Sequence, residues 1–164
     1  MNVLKVEKCA VNAGSGFRTV IWCAGCDHQC KGCQNPESWD ASQGNHFNFN
    51  FMEKVVKYVK ENDFIQGISL SGGDPLSLCN RGHIETFLHN FKYVCPDKDV
   101  WCWTGYKWDE VKDLPLMRYI DVLIDGPFIL KERDITLKWR GSKNQRVIDV
   151  QKSLEKNEVI LYEL

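Results

Sequence analysis

Apolar and polar positions alternate along the chain in a way that predicts short strands separated by amphipathic helices. Phe17–Trp22 is rich in β-branched and aromatic residues and follows Gly14-Ser15-Gly16, which predicts a first strand after a turn. From Cys23 to Asn48 the chain is polar, glycine-containing and aperiodic, so a long loop is expected; in a compact domain such a length goes with function. Asn50 with Glu53 resembles a capping box, and Phe51, Val55 and Val59 recur behind it at helical spacing. With Glu53/Lys57 and Lys57/Glu61 pairs on the outer face, the pattern predicts a helix to about Asn62. Gly67–Ser71 reads as a second strand running into Gly72-Gly73-Asp74-Pro75, and Ile84, Phe87, Leu88 and Phe91 mark one face of a second helix. Val100–Thr104 reads as a third strand, and Trp108, Val111 and Leu114 as a short helix stopped by Pro115. Val122–Ile124, apolar on both faces, makes a fourth strand, and Val159–Tyr162 a last one.

Strands alternating with helices predict an α/β fold with a mainly parallel sheet and crossover connections. No repeat, low-complexity tract or linker divides the chain, so residues 1–164 are expected to form one domain. A full eight-fold barrel takes about 250 residues. This chain is therefore expected to form only an open, partial (β/α) barrel, with Trp101 and Trp103 as core or barrel-lining residues. A 43% hydrophobic content fills one core, and a net charge of -1 gives no broad attraction to nucleic acid or anionic membrane. Lys5, Glu7 and Lys8 interrupt the apolar residues of Met1–Ala10, unlike a secretory signal, and no run approaches the roughly 18 apolar residues of a membrane span. A cytoplasmic protein follows, with neither membrane nor nucleic acid as a direct partner.

Eight cysteines change the picture, because a reducing compartment disfavours disulfides and points to metal or redox chemistry. Cys9, Cys79, Cys95 and Cys102 are scattered among apolar neighbours and read as small buried hydrophobes. Cys23, Cys26, Cys30 and Cys33 share one short segment. Cys26-x3-Cys30-x2-Cys33 places three thiolates just beyond a strand end, enough for three corners of an iron–sulfur cluster, and a four-iron cluster so held keeps one iron open. A fourth thiolate from Cys23 would instead favour outer-sphere electron transfer or a closed zinc site. Common zinc ribbons separate their two C-x2-C pairs by about 15 residues. The much shorter gap here crowds such a chelate, so Cys23 is assigned to the strand end and His28 is read as a polar loop residue without a ligand role. Gly72 and Gly73 let backbone approach a ligand without an intervening Cβ, although an ordinary strand-to-helix turn would look the same. Thr104 and Asp125 fall where strand C-termini meet loops, the side of α/β folds that carries ligands.

A C-x3-C-x2-C motif after a first strand resembles the signature of the radical S-adenosylmethionine superfamily. The resemblance implies a catalytic [4Fe-4S] cluster on Cys26, Cys30 and Cys33, with its open iron chelated by the amino and carboxylate groups of S-adenosylmethionine. One electron from such a reduced cluster cleaves this cofactor to methionine and a 5′-deoxyadenosyl radical. The superfamily commonly has an aromatic residue before the third cysteine. Gly32 stands there instead, so any adenine contact at that point would come from backbone, and Gly32-Cys33-Gln34-Asn35 resembles the Gly-Cys-x-Asn of the reductase-activating branch. The resemblance makes Gly32, Cys33 and Gln34 cofactor contacts. Ser71–Pro75 resembles the Gly-Gly-Glu segment that binds the cofactor's amino group, which adds Gly72, Gly73 and Asp74, the last one methylene shorter than the usual Glu.

Three further segments are Thr104-Gly105-Tyr106, Asp125-Gly126-Pro127-Phe128, and Trp139-Arg140-Gly141-Ser142 with Asn144-Gln145-Arg146. In this order and spacing they are similar to the anaerobic ribonucleoside-triphosphate reductase-activating proteins, from about Asn12 to Asp149, with Asn12-Ala13-Gly14 where that family has Asn-Gly. The last segment could equally be a solvated polar loop. The resemblance implies a glycyl-radical activase whose partner is the large subunit of anaerobic ribonucleotide reductase, and whose electron comes from reduced flavodoxin or ferredoxin. Thr104 and Asp125 become cofactor-side candidates. The competing readings are a four-cysteine electron-transfer module, a zinc-bound interaction domain, and an activase of another glycyl-radical enzyme such as pyruvate formate-lyase. Short length and the lack of an inserted ferredoxin-like cysteine set oppose the last.

Overall fold

A computed structural model describes residues 1–163. Its single sheet has seven strands: β1 (Asn2–Ala10), β2 (Phe17–Cys23), β3 (Asn45–His46), β4 (Ile65–Gly72), β5 (Asp99–Trp103), β6 (Val122–Asp125) and β7 (Arg146–Asp149). The helices are α1 (Phe49–Glu61), α2 (Arg81–Val94), α3 (Trp108–Val111) and α4 (Val150–Lys156). Strand order is β3-β1-β2-β4-β5-β6-β7. The β2–β4, β4–β5 and β5–β6 pairings are parallel, whereas β1–β2, β1–β3 and β6–β7 are antiparallel. The expectation of a mainly parallel sheet therefore holds for the centre only. Antiparallel strands flank it on both sides, and the sheet ends at β3 and β7 without closing.

Other expectations need correction. Met1–Ala10 carries a strand that charge masked: Lys5 and Glu7 leave it without a continuous apolar run, and its pairing with β2 contains register shifts after Val3 and Glu7. Beyond the Arg140–Arg146 segment the chain forms β7 and then α4, two elements that the sequence pattern does not predict; the N-cap Asp149 of α4 accepts from the Lys152 N–H. Val159–Tyr162 forms only an isolated bridge between Leu161 and Ile148. The cap of α1 is Asn48 rather than Asn50: its side chain accepts from the Phe51 N–H at 2.9 Å, so the helix begins earlier. Cys95 and Cys102 are buried as expected, but Cys9 and Cys79 are exposed, one near the end of β1 and one in the turn before α2.

The two faces of the sheet do different things. On one, Ile21, Ile68, Leu70, Cys102 and Leu123 pack with the apolar stripes of α1 (Val55, Val59) and α2 (Ile84, Phe87, Leu88, Phe91). The residues alternating with them, Arg18, Ser69, Trp101 and Ile124, point the other way, as period-two geometry requires. Near the start of the parallel strands that second face is plugged. Fully buried Arg18 donates to the Ser69 hydroxyl and the Ile68 carbonyl, both at 2.8 Å, pairs with Asp99 at 2.6 Å, and lies over the Trp101 ring. Trp139 and Tyr162 meet Trp101 edge-on at 4.6 and 5.2 Å between centroids. Where the same strands end, the face is open.

Candidate active site

A cleft of about 430 Å³ lies over the C-terminal ends of β2, β4 and β5. The long segment after β2 reaches it by a fixed route. Gly25 and Cys26 N–H groups donate to the Ser38 and Trp39 carbonyls at 2.8 and 3.1 Å. Gly73 and Asp74 N–H groups donate to the Cys23 and Gly25 carbonyls, both at 2.8 Å. The buried Asn80 amide then ties the two strand exits together, donating to the carbonyls of Ala24 and Asp74 at 2.9 Å each. So close an approach needs the paired glycines: a Cβ on Gly73 would lie 2.5 Å from the Gly25 oxygen, and Gly72 sits at φ +96°.

Beyond this zipper, Gln29 (φ +46°) and Gly32 (φ +77°) curl the chain, and Cys26, Cys30 and Cys33 all line the cleft. The Asn35 N–H donates to the Cys33 sulfur at 3.4 Å. Burial pushes the Cys26 thiol up to about 11, against a smaller opposing pull from the backbone N–H groups of His28 and Gln29. Metal loading there must displace a proton. Cys23 is absent from the cleft wall: it is fully buried in β2, where desolvation pushes its thiol higher still. Among the described residues no three His, Cys, Asp or Glu side chains converge on a point that could hold one ion. A four-iron cluster takes its thiolates at separate corners, and it is this demand that three thiols around a cleft can meet. The glycine-lined wall at Gly72 and Gly73 leaves room beside it, so the residues fit a three-thiolate cluster with an adjacent small-molecule ligand.

Asp74 is 1% exposed and central. Its carboxylate accepts from the Leu76 N–H at 2.8 Å and the Gly105 N–H at 2.9 Å; the Thr104 hydroxyl lies 2.9 Å from both oxygens, and His28 Nε2 lies 2.8 Å from one. The hydrogen bond to Asp74 holds the His28 imidazolium above its usual range, against partial desolvation. His28, read from sequence as an ordinary loop residue, is thus part of the wall; its place between two cysteines was the one available signal.

Of the residues singled out from sequence, Cys26, Cys30, Cys33, Gln34, Gly72, Gly73, Asp74 and Thr104 surround one cleft. Gly32 and Asp125 do not. Gly32 packs beneath Leu130, and the Asp125 carboxylate is buried behind the wall, accepting from the Trp108 N–H at 2.9 Å and pairing with Arg146. Trp22, Trp139 and Arg140 also line the cleft, a role that sequence reasoning did not give them, and Trp103, expected as a core or barrel-lining residue, lines it too. The Arg140–Arg146 segment is a braced loop rather than a solvated one. Gln145 accepts from the Gly141 and Ser142 N–H groups at 2.9 and 3.2 Å and donates to the Gly126 carbonyl at 2.9 Å. Trp139 is held in the left-handed region (φ +62°), uncommon for a bulky side chain, while its carbonyl accepts from Trp103 Nε1 at 2.7 Å. Trp22 Nε1 and Arg140 Nε are buried in this wall without an acceptor among the described residues.

Comparison with known proteins covers the stretch of chain that builds the cleft. Residues 12–148 match the family described as a 4Fe-4S single cluster domain. The chain is 39% identical over 149 residues to the anaerobic ribonucleoside-triphosphate reductase-activating protein of enterobacteria phage T4, covering 90% of this chain and 93% of that one. The identically named proteins of Haemophilus influenzae and Vibrio cholerae are 43% and 42% identical. Those alignments cover 88% and 80% of this chain and 96% and 87% of theirs.

Proposed function

Because this chain belongs to the family of anaerobic ribonucleoside-triphosphate reductase-activating proteins, we propose that it is the radical S-adenosylmethionine activase of such a reductase, working from the cleft above β2, β4 and β5. The observation that carries the reading is the thiol count: three cysteines line the cleft, and the fourth member of the sequence cluster, Cys23, is sealed inside β2. Cys26, Cys30 and Cys33 would hold the cluster and leave one iron without a ligand from this cysteine set, in the cleft that Gly72 and Gly73 also line. When bound, the cluster supplies the electron that splits S-adenosylmethionine into methionine and a 5′-deoxyadenosyl radical, which takes a hydrogen atom from a glycine of the reductase.

The chain's own residues orient that chemistry. Backbone at Gly72 and Gly73 offers polar groups at close range to the cofactor's amino end. Trp103, Phe128, Leu137 and Trp139 supply the apolar part of the lining. We read the unclosed sheet as an open, partial (β/α) barrel, a shape that leaves the strand ends within reach of a glycine-bearing loop from a protein partner. Reduced flavodoxin or ferredoxin serves as electron donor, and the site of action is the cytoplasm; among the described residues no helix is long and apolar enough to cross a membrane.

Anaerobic reconstitution with iron and sulfide, followed by reduction in the presence of S-adenosylmethionine, tests the reading. Expected products are 5′-deoxyadenosine and, with the reductase present, a glycyl radical detectable by EPR. One equivalent of zinc and no nucleoside product would refute it.

A further inference from the structure

We propose that His28 is a positioning residue: through Asp74 it fixes the arc between Cys26 and Cys30 against the loops leaving β4 and β5, and so sets where S-adenosylmethionine sits relative to the cluster. The inference rests on the activase reading and deepens it. Three loops that leave three different strands meet at one buried carboxylate: His28 after β2, Asp74 and Leu76 after β4, Thr104 and Gly105 after β5. An ionised carboxylate offers about four lone-pair sites. Leu76, Thr104, Gly105 and His28 use that capacity, so the Asp74 side chain works as a clamp between loops, and contact with the cofactor's ammonium falls to the neighbouring backbone.

His28 is the member that brings the cysteines into the clamp. Among the described residues, positions 27–29, which join the first two thiols, make one hydrogen bond to another loop, from the His28 ring to Asp74. The ring is seated from both sides. It meets Tyr106 edge-on at 4.5 Å, and a Cβ on Gly105 would run into it, so the glycine at that position makes room for the imidazole. Loss of the bond frees the arc while leaving the three sulfur ligands and the zipper at Gly25 and Cys26 in place.

The test compares His28→Ala and His28→Gln with the parent protein after anaerobic reconstitution. It measures iron per chain, S-adenosylmethionine affinity by equilibrium dialysis, and the change in the reduced-cluster EPR signal on adding S-adenosylmethionine. For His28→Ala we expect iron content near that of the parent, affinity weakened by about tenfold or more, and a muted EPR change; a hydrogen bond to a charged group is worth that much. His28→Gln, whose amide nitrogen can still reach Asp74, should recover affinity to within about threefold of the parent. If His28→Ala loses iron, recovery of iron in His28→Gln supports the same role, and its failure to recover overturns it. Parent-like affinity in His28→Ala, or no rescue by Gln, also overturns the inference, while 5′-deoxyadenosine formation by the parent would leave the activase reading standing. A parent protein that binds no S-adenosylmethionine would remove both.

Discussion

Cys26, Cys30 and Cys33 differ from Cys23 in surroundings, and the difference can be measured. Replacing any of the three with Ala should abolish iron retention and 5′-deoxyadenosine formation together. Cys23→Ala should keep both and lower apo-protein stability by about 1 kcal/mol, the usual loss when one buried atom is removed; urea unfolding and iron analysis check the pair of outcomes. Gly73→Ala is the sharper steric case. Its new Cβ would lie 2.5 and 2.9 Å from the Gly25 and Ser38 carbonyl oxygens, both backbone atoms that cannot rotate aside. We expect a loss of about 1–3 kcal/mol in urea unfolding, typical of overpacking, together with weakened S-adenosylmethionine binding. The cysteines and glycines were legible from type and spacing. The linkage of His28 to Asp74 was not, because nothing in a local sequence says which side chains from separate strands share a carboxylate.

At the level of elements, those with a clean period were visible and those with interrupted patterns were not. Both long helices declared themselves through i, i+3 and i+4 apolar positions, although the Asn48 cap of α1 was displaced in the reading by the more conspicuous Asn50 and Glu53 pair. Asn48→Ala should lower stability by about 1 kcal/mol in thermal or urea unfolding, since Phe51 loses its acceptor. β7 escaped notice because it is four residues long and antiparallel. Its attachment is partly electrostatic: Arg146 at the start of β7 pairs with the buried Asp125 carboxylate at the end of β6. Arg146→Ala leaves that carboxylate with the Trp108 and Arg146 backbone N–H groups alone. Because the arginine is itself 40% exposed, we expect a loss of about 1–3 kcal/mol in urea unfolding, below the full penalty for breaking a buried pair.

For the whole molecule, the core and the proposed cluster ligands are separate structures. The apolar residues of α1 and α2 pack on one face of the sheet, while the three thiols lie in a single loop above the strand ends. The apo-protein should therefore keep its far-UV circular dichroism and unfold cooperatively after chelation of iron, unlike small metal-folded domains; loss of cooperative unfolding in the iron-free protein would contradict this division. The sequence by itself determined the thiol spacing and the central strand–helix alternation, because spacing within one loop and periodicity within one element are local properties. Tertiary structure alone decided that Cys23 faces the core, that Asp125 braces β7 while Asp74 joins three loops, and that antiparallel strands flank a sheet that does not close. Each of these depends on which distant backbones come to lie side by side, a matter settled by packing and hydrogen bonding across the sheet.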